Sequence, residues 1–584
     1  MKKILAALCF YWYVQTGLWG QIPAFPGAQG FGALNTTGGR GGQVIYVTTL
    51  NCEGPGSLNA ALATPGPKYI LFKVSGVIDC AAELIWGDCY IAGQSSPGGI
   101  IVRGIIIDDW YEPNNGAKNI IIRHLNSRPA TEQIRPGSGW VADDALRLDA
   151  ATRVVIDHCS FANATDEAIQ ISRSNNLSIQ YCQLAETLGD HYEFGGMLLN
   201  YSANGHRKDS ISIHHNIWNR IGGRMPEISC EQSGEAPNDM SCLQHPLRIE
   251  LSNNLLWDQQ IEMYYNSGFY TSNQEAPGMR LLPNFVNNLS VVRNSMCHGM
   301  FRDLMLGFSN NELFVSGNKL SRFPNYADYE LFYCCNDFCT APNHPNRDLG
   351  KAVRRSTRFP YPAITYTATA DLLVNLRSTV GAFNPHSTRR RDPMNRRLQQ
   401  PLLDNIIDSR PIDGRDYYQD AFRLDFTTAP AAPKDTDSDG MPDSWETAQG
   451  LNPAVKDHNG TQLSIKFTGV AGYTNLECYL NDLSDRLVSG SPLTKVGDRG
   501  IDKQWQKINF DNSARMLYVE IDQATAPEGS QVQARVLNSY GAVLAEAKTQ
   551  GQRLQIPLAH APGGIHFVHI QKGIHGVTEK IFIP

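Results

Sequence analysis

The stretch DTDSDGMPDSWE places Asp435, Asp437, Asp439, Asp443 and Glu446 at positions 1, 3, 5, 9 and 12 of a loop with Gly440 at its turn. That is the oxygen spacing of an EF-hand-type calcium loop, in which hard carboxylates surround a hard cation and glycine permits the sharp bend. Acidic turns also serve solubility, but this spacing favours calcium. A second acidic group lies far upstream. ADDALRLD carries Asp143 and Asp144 just before a strand pattern, and TDEAIQI carries Asp166 and Glu167 at the same place one repeat later. Stacked turns would bring these four carboxylates within a few ångströms of one another, where like charges repel unless a cation or proton intervenes. Calcium is the simplest relief. Arg224 follows a strand and two glycines and is fixed by Pro226, which brings a compatible cationic group to the same side of the chain.

The elements that must position these groups are short strands in a loose repeat. IIIRHLNS, VVIDHCSF, LSIQYCQL, ISIHHNIW, IELSNNLL, FVNNLSVV and FVSGNKLS each pair a strand with a polar or asparagine-containing corner. Ile122, Ile156, Ile179, Ile213 and Leu251 occupy the matching place, 34, 23, 34 and 38 residues apart. One short strand per irregular rung reads as a parallel β-helix. Like residues then stack at the ~4.8 Å strand spacing, so Asn216, Asn254, Asn288 and Asn318 fit an internal ladder. Cys159 and Cys182 would stack too, as buried thiols or as a bridge. His158, His214 and His215 lie inside the strand repeats and read as ladder or core residues rather than a metal site, with Asp157 structural beside them. Rungs of unequal length put their insertions into loops on one side, where a binding groove is built.

Composition limits the rest. At 584 residues the chain is too long for one compact core, and a net charge of −6 argues against a nucleic-acid binder. MKKILAALCFYWYVQTGLWG has two lysines and a short apolar run from Ile4 to Val14, the pattern of a signal peptide over residues 1–20. The run is shorter than the ~20 residues of a membrane span, so a secreted or cell-surface protein without a transmembrane segment is expected. Beyond Cys9, twelve cysteines remain, an even number compatible with pairing in an oxidising compartment. Cys80 with Cys89 and Cys230 with Cys242 bracket local loops and are candidate pairs. Cys334, Cys335 and Cys339 lack a zinc-type histidine pattern and read as disulfide chemistry. Residues 324–430, rich in Pro, Asn and Arg, are expected to be long loops, with RRRDPMNRR (Arg389–Arg397) a solvated face or an aid in holding a polyanion. After the hinge TTAPAAPK come the calcium loop, a helical SWETAQGLNP and an amphipathic TNLECYLNDL. Short alternating strands follow from about Ser489 (MLYVEI, QVQARVL, RLQIPL, IHFVHI, TEKIFIP), the pattern of a small β-sandwich.

The chain resembles polysaccharide lyase family 1, the pectate lyases. The resemblance starts at FPGAQGFG and GGRGGQVIYVT and continues through GPGSLNAAL, FKVSGVID, IAGQSSPGG and VVIDHCSFANATDEAIQI. It ends with HHN, RMP and SNNLLWD, covering roughly Pro23 to Asp258. It implies an all-β, right-handed parallel β-helix that cleaves polygalacturonate by calcium-assisted β-elimination, with Asp144 and Asp166 binding calcium and Arg224 acting as base. An arginine pKa normally exceeds ~12, so this role implies an alkaline optimum, unless Arg224 stabilises developing charge while another group takes the proton. Family members commonly carry a second arginine after the Arg-x-Pro motif and a lysine before the HHN strand. Here Glu227 and Ser229 follow Arg224, and His191 lies where the lysine is sought, with Lys208 further on. His191, Lys208 and Glu227 are thus the candidate substrate-binding residues.

The calcium loop resembles thrombospondin type 3 or dockerin-like segments of secreted carbohydrate enzymes. The C-terminal strands (GAVLAEA, APGGIHFVHI, GVTEKIFIP) resemble the sorting domain of type IX secretion cargo, without its usual Pro-Asn-Pro lead-in. The expected layout is a catalytic β-helix over 21–430, a calcium segment over 431–488 and a sorting domain over 489–584. Expected partners are an acidic polysaccharide and the secretion machinery, with the protein itself a monomer. Two other readings stay open: a β-helix glycoside hydrolase, which needs two carboxylic acids across the bond, and an inactive acidic-glycan binder. No Ser-His-Asp spacing, phosphate loop or dinucleotide fingerprint stands out.

Overall fold

A computed structural model describes residues 22–111, 116–129, 144–187, 195–203, 205–221, 223–229, 245–258, 264–266, 280–292, 299–333, 351–386, 390–407 and 420–490. Beyond these it describes 506–511, 514–521, 532–538, 543–549, 553–558, 564–572 and 575–583. The signal-peptide segment, Asp143, His191, Cys230, Cys242 and Cys334, Cys335 and Cys339 lie outside the described residues. Two compact units result, residues 1–493 and 494–584.

The first unit is a stack of rungs. Three parallel sheets of eleven, nine and seven strands run along it, and successive rungs contribute one strand to each. The repeat seen in the sequence is the actual register: Ile156 pairs with Ile122 and Ile179, Ile179 with Ile213, and Ile213 with Leu251. These side chains are all but inaccessible and belong to one apolar core enclosed by the three sheets. Because each strand pairs with its equivalent a rung away, a residue type repeated at one position lines the stack from end to end.

The asparagine ladder shows this at a polar position. Asn216 donates through Nδ2 to Asn254 Oδ1 at 3.1 Å, Asn254 to Asn288 at 3.1 Å and Asn288 to Asn318 at 2.9 Å, all within the interior. Each amide also donates to a backbone carbonyl, so every rung satisfies the next. Replacing Asn254 by alanine removes the Oδ1 that accepts from both the backbone N–H and the Nδ2 of Asn216, and orphans donors inside the core. A loss of about 1–3 kcal/mol is expected from such orphaned groups, read as a lowered urea midpoint with an unchanged slope. Cys159 and Cys182 are buried free thiols. One position earlier, His124, His158, Tyr181 and His215 stack their rings at 5.1, 5.1 and 5.0 Å, each on a left-handed corner residue.

Two expectations need correction. Cys80 bridges Cys52, and Cys89 is a buried free thiol, because Cys89 opens an inner strand while Cys80 sits on the facing loop. The 324–430 region contains helices Thr369–Leu376 and Pro393–Asp404. Leu372, Leu376 and Leu402 pack on Ile217, Leu255 and Trp257 of the nine-stranded sheet. The arginine run is accordingly no solvated face in its described part. Asp392 caps the second helix through the Asn395 N–H and pairs with buried Arg128, Arg391 is buried, and Arg397 holds Glu186 and Asp420. The Asp-Pro pair inside the run is a helix-start signal.

The calcium-loop segment belongs to the same compact unit as the β-helix. Its helix Asn475–Ser489 starts with a capping box between Thr474 and Glu477. That same Glu477 pairs with Arg40 at 2.9 Å, and Tyr69 bonds Thr474 at 3.0 Å. Further along the helix, Ser484 takes a hydrogen bond from Arg123 at 2.7 Å. The helix therefore covers the outer face of the eleven-stranded sheet.

The second unit holds a three-stranded and a four-stranded antiparallel sheet. Leu517, Val519, Leu554 and Ile556 from one and Ala534, Val536 and Val568 from the other share a single core.

Candidate active site and calcium sites

The seven-stranded sheet contains Leu146–Asp149, Ile169–Ser172, Met197–Leu199 and Glu227–Ser229 as consecutive neighbours. The turn before each delivers one part of the site. Asp144 precedes the first strand, Asp166 and Glu167 the second, Gly195 the third and Arg224 the fourth. Register fixes them in a row, since Leu146 pairs with Ile169 and Ile169 with Met197.

Asp144, Asp166 and Glu167 each offer an oxygen, the three lying within 4.8 Å of one another. The Glu167 N–H donates to Asp144 Oδ1 at 3.1 Å, locking the two turns together. Arg224, at φ +53°, aims its guanidinium at this group. Nη1 contacts Glu167 and lies 3.8 Å from Asp166 Oδ1, while Nε lies 3.1 Å from Glu227 Oε2. Glu167 and Glu227 are nearly inaccessible, whereas the side chains of Asp166 and Arg224 keep 22 % and 18 % of their exposure. The solvent-facing part of the cluster is thus Asp144 and Asp166 beside Arg224.

Gly195 makes this approach possible. A Cβ there would sit 3.0 Å from Glu167 Cγ and 3.4 Å from Arg224 Cδ. The sequence offered only an unremarked Gly-Gly pair as a signal. Among the described residues, Asp166, Glu167 and Glu227 face the Arg224 guanidinium and Asp144 adjoins Asp166 and Glu167, an acid-rich grouping of the sense a divalent cation corrects. Oxygen-only donors suit a hard cation such as calcium.

Of the expected substrate-binding residues, Glu227 is in the site but faces Arg224. Lys208 is buried, its ammonium donating to the carbonyls of Leu199 at 2.9 Å, Asn200 at 2.7 Å and Ser229. It ties two rungs together inside the wall and presents no charge to the groove.

The second acidic group is built with one substitution in its membership. Asp435, Asp437 and Asp439 converge, and Asp439 converges with Glu446 and Asp457, each set within 4.8 Å. Asp443, at the ninth loop position, instead opens the helix Asp443–Gln449 and accepts from Lys434 and Thr436 at 2.7 Å. Asp457 takes the vacant role. It lies outside the twelve-residue motif and is brought in by its own N–H, which donates to Asp439 Oδ2 at 3.0 Å. Among the described residues, neither carboxylate oxygen of fully buried Glu446 has a hydrogen-bond partner. Burial, with Asp439, Asp437, Asp457 and Asp435 around it, pushes Glu446 up to about 8. Burial and the neighbouring aspartates likewise push Asp437 up to about 6. Unpaired buried carboxylates are costly without a counter-charge, so these residues fit a cation. The Tyr46 hydroxyl, on the first strand of the eleven-stranded sheet, donates to Asp435, which joins the loop to the β-helix.

A third grouping, His124, Asp157 and His158, has the donor types of a metal site but is already committed. Asp157 pairs with Arg123 at 2.7 Å and with His158 at 2.8 Å, and His124 bonds Ser484. Burial lowers His124 well below its ordinary pKa. These histidines are core residues.

The parallel β-helix thus aligns an acid cluster and an arginine on one sheet. Residues 85–232 match the family model described as pectate lyase. Among curated relatives, a probable pectate lyase C of Emericella nidulans is 26 % identical over 472 residues, spanning 79 % of this chain and 92 % of that protein. A probable pectate lyase C of Aspergillus fumigatus is 27 % identical over 467 residues, spanning 79 % and 94 %. A solved thermostable pectate lyase, PL 47, aligns over 61 % of this chain and 96 % of that one, at 12 % identity and a TM-score of 0.36. The match and these relatives identify the chain as an enzyme, a polysaccharide lyase. Among the described residues, no helix is long and apolar enough to cross a membrane.

Proposed function

We propose that this enzyme is a secreted pectate lyase that cleaves (1→4)-α-D-galacturonan by β-elimination, giving unsaturated oligogalacturonides. The observation that carries the reading is the convergence of Asp144, Asp166 and Glu167 within 4.8 Å with Arg224 against them. Asp144, Asp166 and Glu167 would hold calcium, which supplies Lewis-acid neutralisation of the uronate carboxylate and so acidifies the C5 proton. Arg224 is placed to take that proton or to stabilise the charge it leaves behind, while Glu227 and Glu167 fix its guanidinium in one orientation. The glycosidic oxygen on C4 then departs as the C4–C5 double bond forms. Polygalacturonate incubated with and without calcium tests the reaction: ultraviolet absorbance of the unsaturated uronate should rise only with calcium. New reducing ends without that absorbance would assign the chain to hydrolysis instead.

Asp144→Asn should weaken calcium affinity and depress activity at low calcium, with partial recovery at high calcium, because ligand charge sets affinity. The denaturation midpoint should stay near wild type. A calcium titration of initial rates checks this, and a loss that no calcium concentration recovers would remove Asp144 from the ligand set.

The antiparallel unit over 494–584 supports a further part of the reading, delivery by the type IX secretion machinery through that folded end. Truncation after Ser489 should leave purified protein active and strand it inside the native host. Normal delivery of the truncated chain to the surface would remove the sorting role.

A further inference from the structure

The strands that begin at the acid cluster end at a different kind of surface. Leu146–Asp149 starts two residues after Asp144 and runs about 10 Å to its other end, at ~3.3 Å per residue. There Asp108, Asp149 and Ser172 stand in register. Arg173, inaccessible to solvent, donates through Nε to Asp149 Oδ1 at 2.7 Å. Arg147 reaches Asp149 at 3.4 Å and Asp108 at 3.6 Å. Two guanidinium groups meet two carboxylates, so these four charges balance.

Aromatic rings roof this pair of ion pairs. The Arg173 guanidinium lies 4.3 Å from the Trp110 ring centroid, 4.9 Å from Tyr201 and 5.6 Å from Tyr111, and Arg147 lies 5.2 Å from Tyr111. Asp108 Oδ1 accepts the N–H groups of Trp110 at 2.7 Å and Tyr111 at 3.0 Å, which fixes the backbone that carries both rings. Tyr111 nevertheless keeps 48 % of its surface exposed. An ordered, solvent-facing ring beside partly exposed Arg147 and Asp108 offers a flat face for the C–H side of a pyranose and hydrogen-bonding groups for its hydroxyls.

We propose that Tyr111, Trp110 and Arg147 form a sugar subsite that takes an uncharged pyranose of the pectic chain, a methyl-esterified galacturonate or a neutral sugar. The inference rests on the lyase reading for the identity of the polymer. Its selectivity follows from charge. At the acid cluster a carboxylate would enter with a bound cation, whereas here Arg147 and Arg173 already face Asp108 and Asp149 and are not left over to offset a uronate.

Titration calorimetry on the full chain tests it, with Arg224→Lys as background to suppress turnover and calcium present throughout. The ligands are methyl-esterified hexagalacturonate, the unesterified hexamer and a neutral galactose hexamer. Tyr111→Ala should weaken the esterified hexamer about 3- to 10-fold, the range of one aromatic contact, and leave the unesterified hexamer within about twofold. Tyr111→Phe should restore binding. A parallel loss for the neutral hexamer means that the ring is read, and a loss confined to the esterified hexamer means that the ester is read as well; both support the subsite. Equal weakening of the unesterified hexamer, or no weakening of any ligand, overturns it. Failure of the lyase reading is seen separately, as absence of unsaturated product from the wild-type enzyme on either polymer.

Discussion

Arg224→Lys should lower kcat on polygalacturonate by about 10²–10⁴, the range of a positioned acid–base group, with KM changed little. Lysine keeps the positive charge but lacks the planar fork that lets Arg224 contact Glu167 through Nη1 and Glu227 through Nε at once. A point charge on a flexible stem cannot hold both acids and still address one substrate atom. The loss should therefore appear in the chemical step and not in binding. Steady-state kinetics, with calcium affinity and melting behaviour measured alongside, decide the matter. Turnover within a few-fold of wild type, with the fold intact, would show that Arg224 is a wall residue and that the proton is taken elsewhere.

Glu446→Gln should remove most of the calcium-dependent stability of the first unit while sparing catalysis by material kept folded. A cation present at a hundred times its dissociation constant stabilises the folded state by about 2.7 kcal/mol, and Glu446 is fully buried with neither carboxylate oxygen paired among the described residues. The effect should reach the β-helix, because Asp435 is bonded to Tyr46 and the following helix is bonded through Glu477 to Arg40. Denaturation midpoints with calcium and with EDTA should lie further apart in wild type than in the variant. The cation-free protein carries a pH signature as well. Glu446 at about 8 and Asp437 at about 6 lie above ordinary carboxylates, so the folded chain retains protons that the unfolded chain releases between about pH 4 and 8. Stability of the EDTA-treated protein should fall as pH rises through that window, and less steeply in Glu446→Gln. Calcium should flatten the fall, since bound ligands stay deprotonated. A calcium effect of equal size in wild type and variant would place the stabilising ion elsewhere.

How much of this was readable from the chain depended on periodicity. The Ile122 to Leu251 register and the Asn216 to Asn318 ladder were legible because a parallel rung repeats a residue type at each turn. Asp144, Asp166 and Glu167 were legible for the same reason, as acids at equivalent places in neighbouring rungs. Features made by contact between distant segments were not. Nothing near Cys80 marks Cys52 as its partner. Asp457 joins the acidic loop only because the chain folds back, and Lys208 is turned into the wall by three carbonyls whose positions no motif records. The helix Pro393–Asp404 was obscured by its arginines, although Asp392 and Pro393 announced its start. Tyr111 and Arg147 lie in ordinary-looking strand and turn sequence, and only their register beside Asp149 brings them together.

The N-terminal segment bears on the order of events as the chain emerges from synthesis. Neighbouring rungs need only a few dozen residues before each can dock on the last, so the stack can lengthen in step with elongation. Residues near Gln29 do not share that convenience. The N–H of Phe31 awaits Ser212, that of Gly32 awaits Ser178 and that of Gln29 awaits Gln180, partners 146 to 181 positions later. The helix at 475–489 arrives later still, yet it covers strands made near the beginning, through Tyr69 and Arg123. The earliest-made part of the β-helix is therefore the last to be finished, and until then its outer face needs protection from other chains.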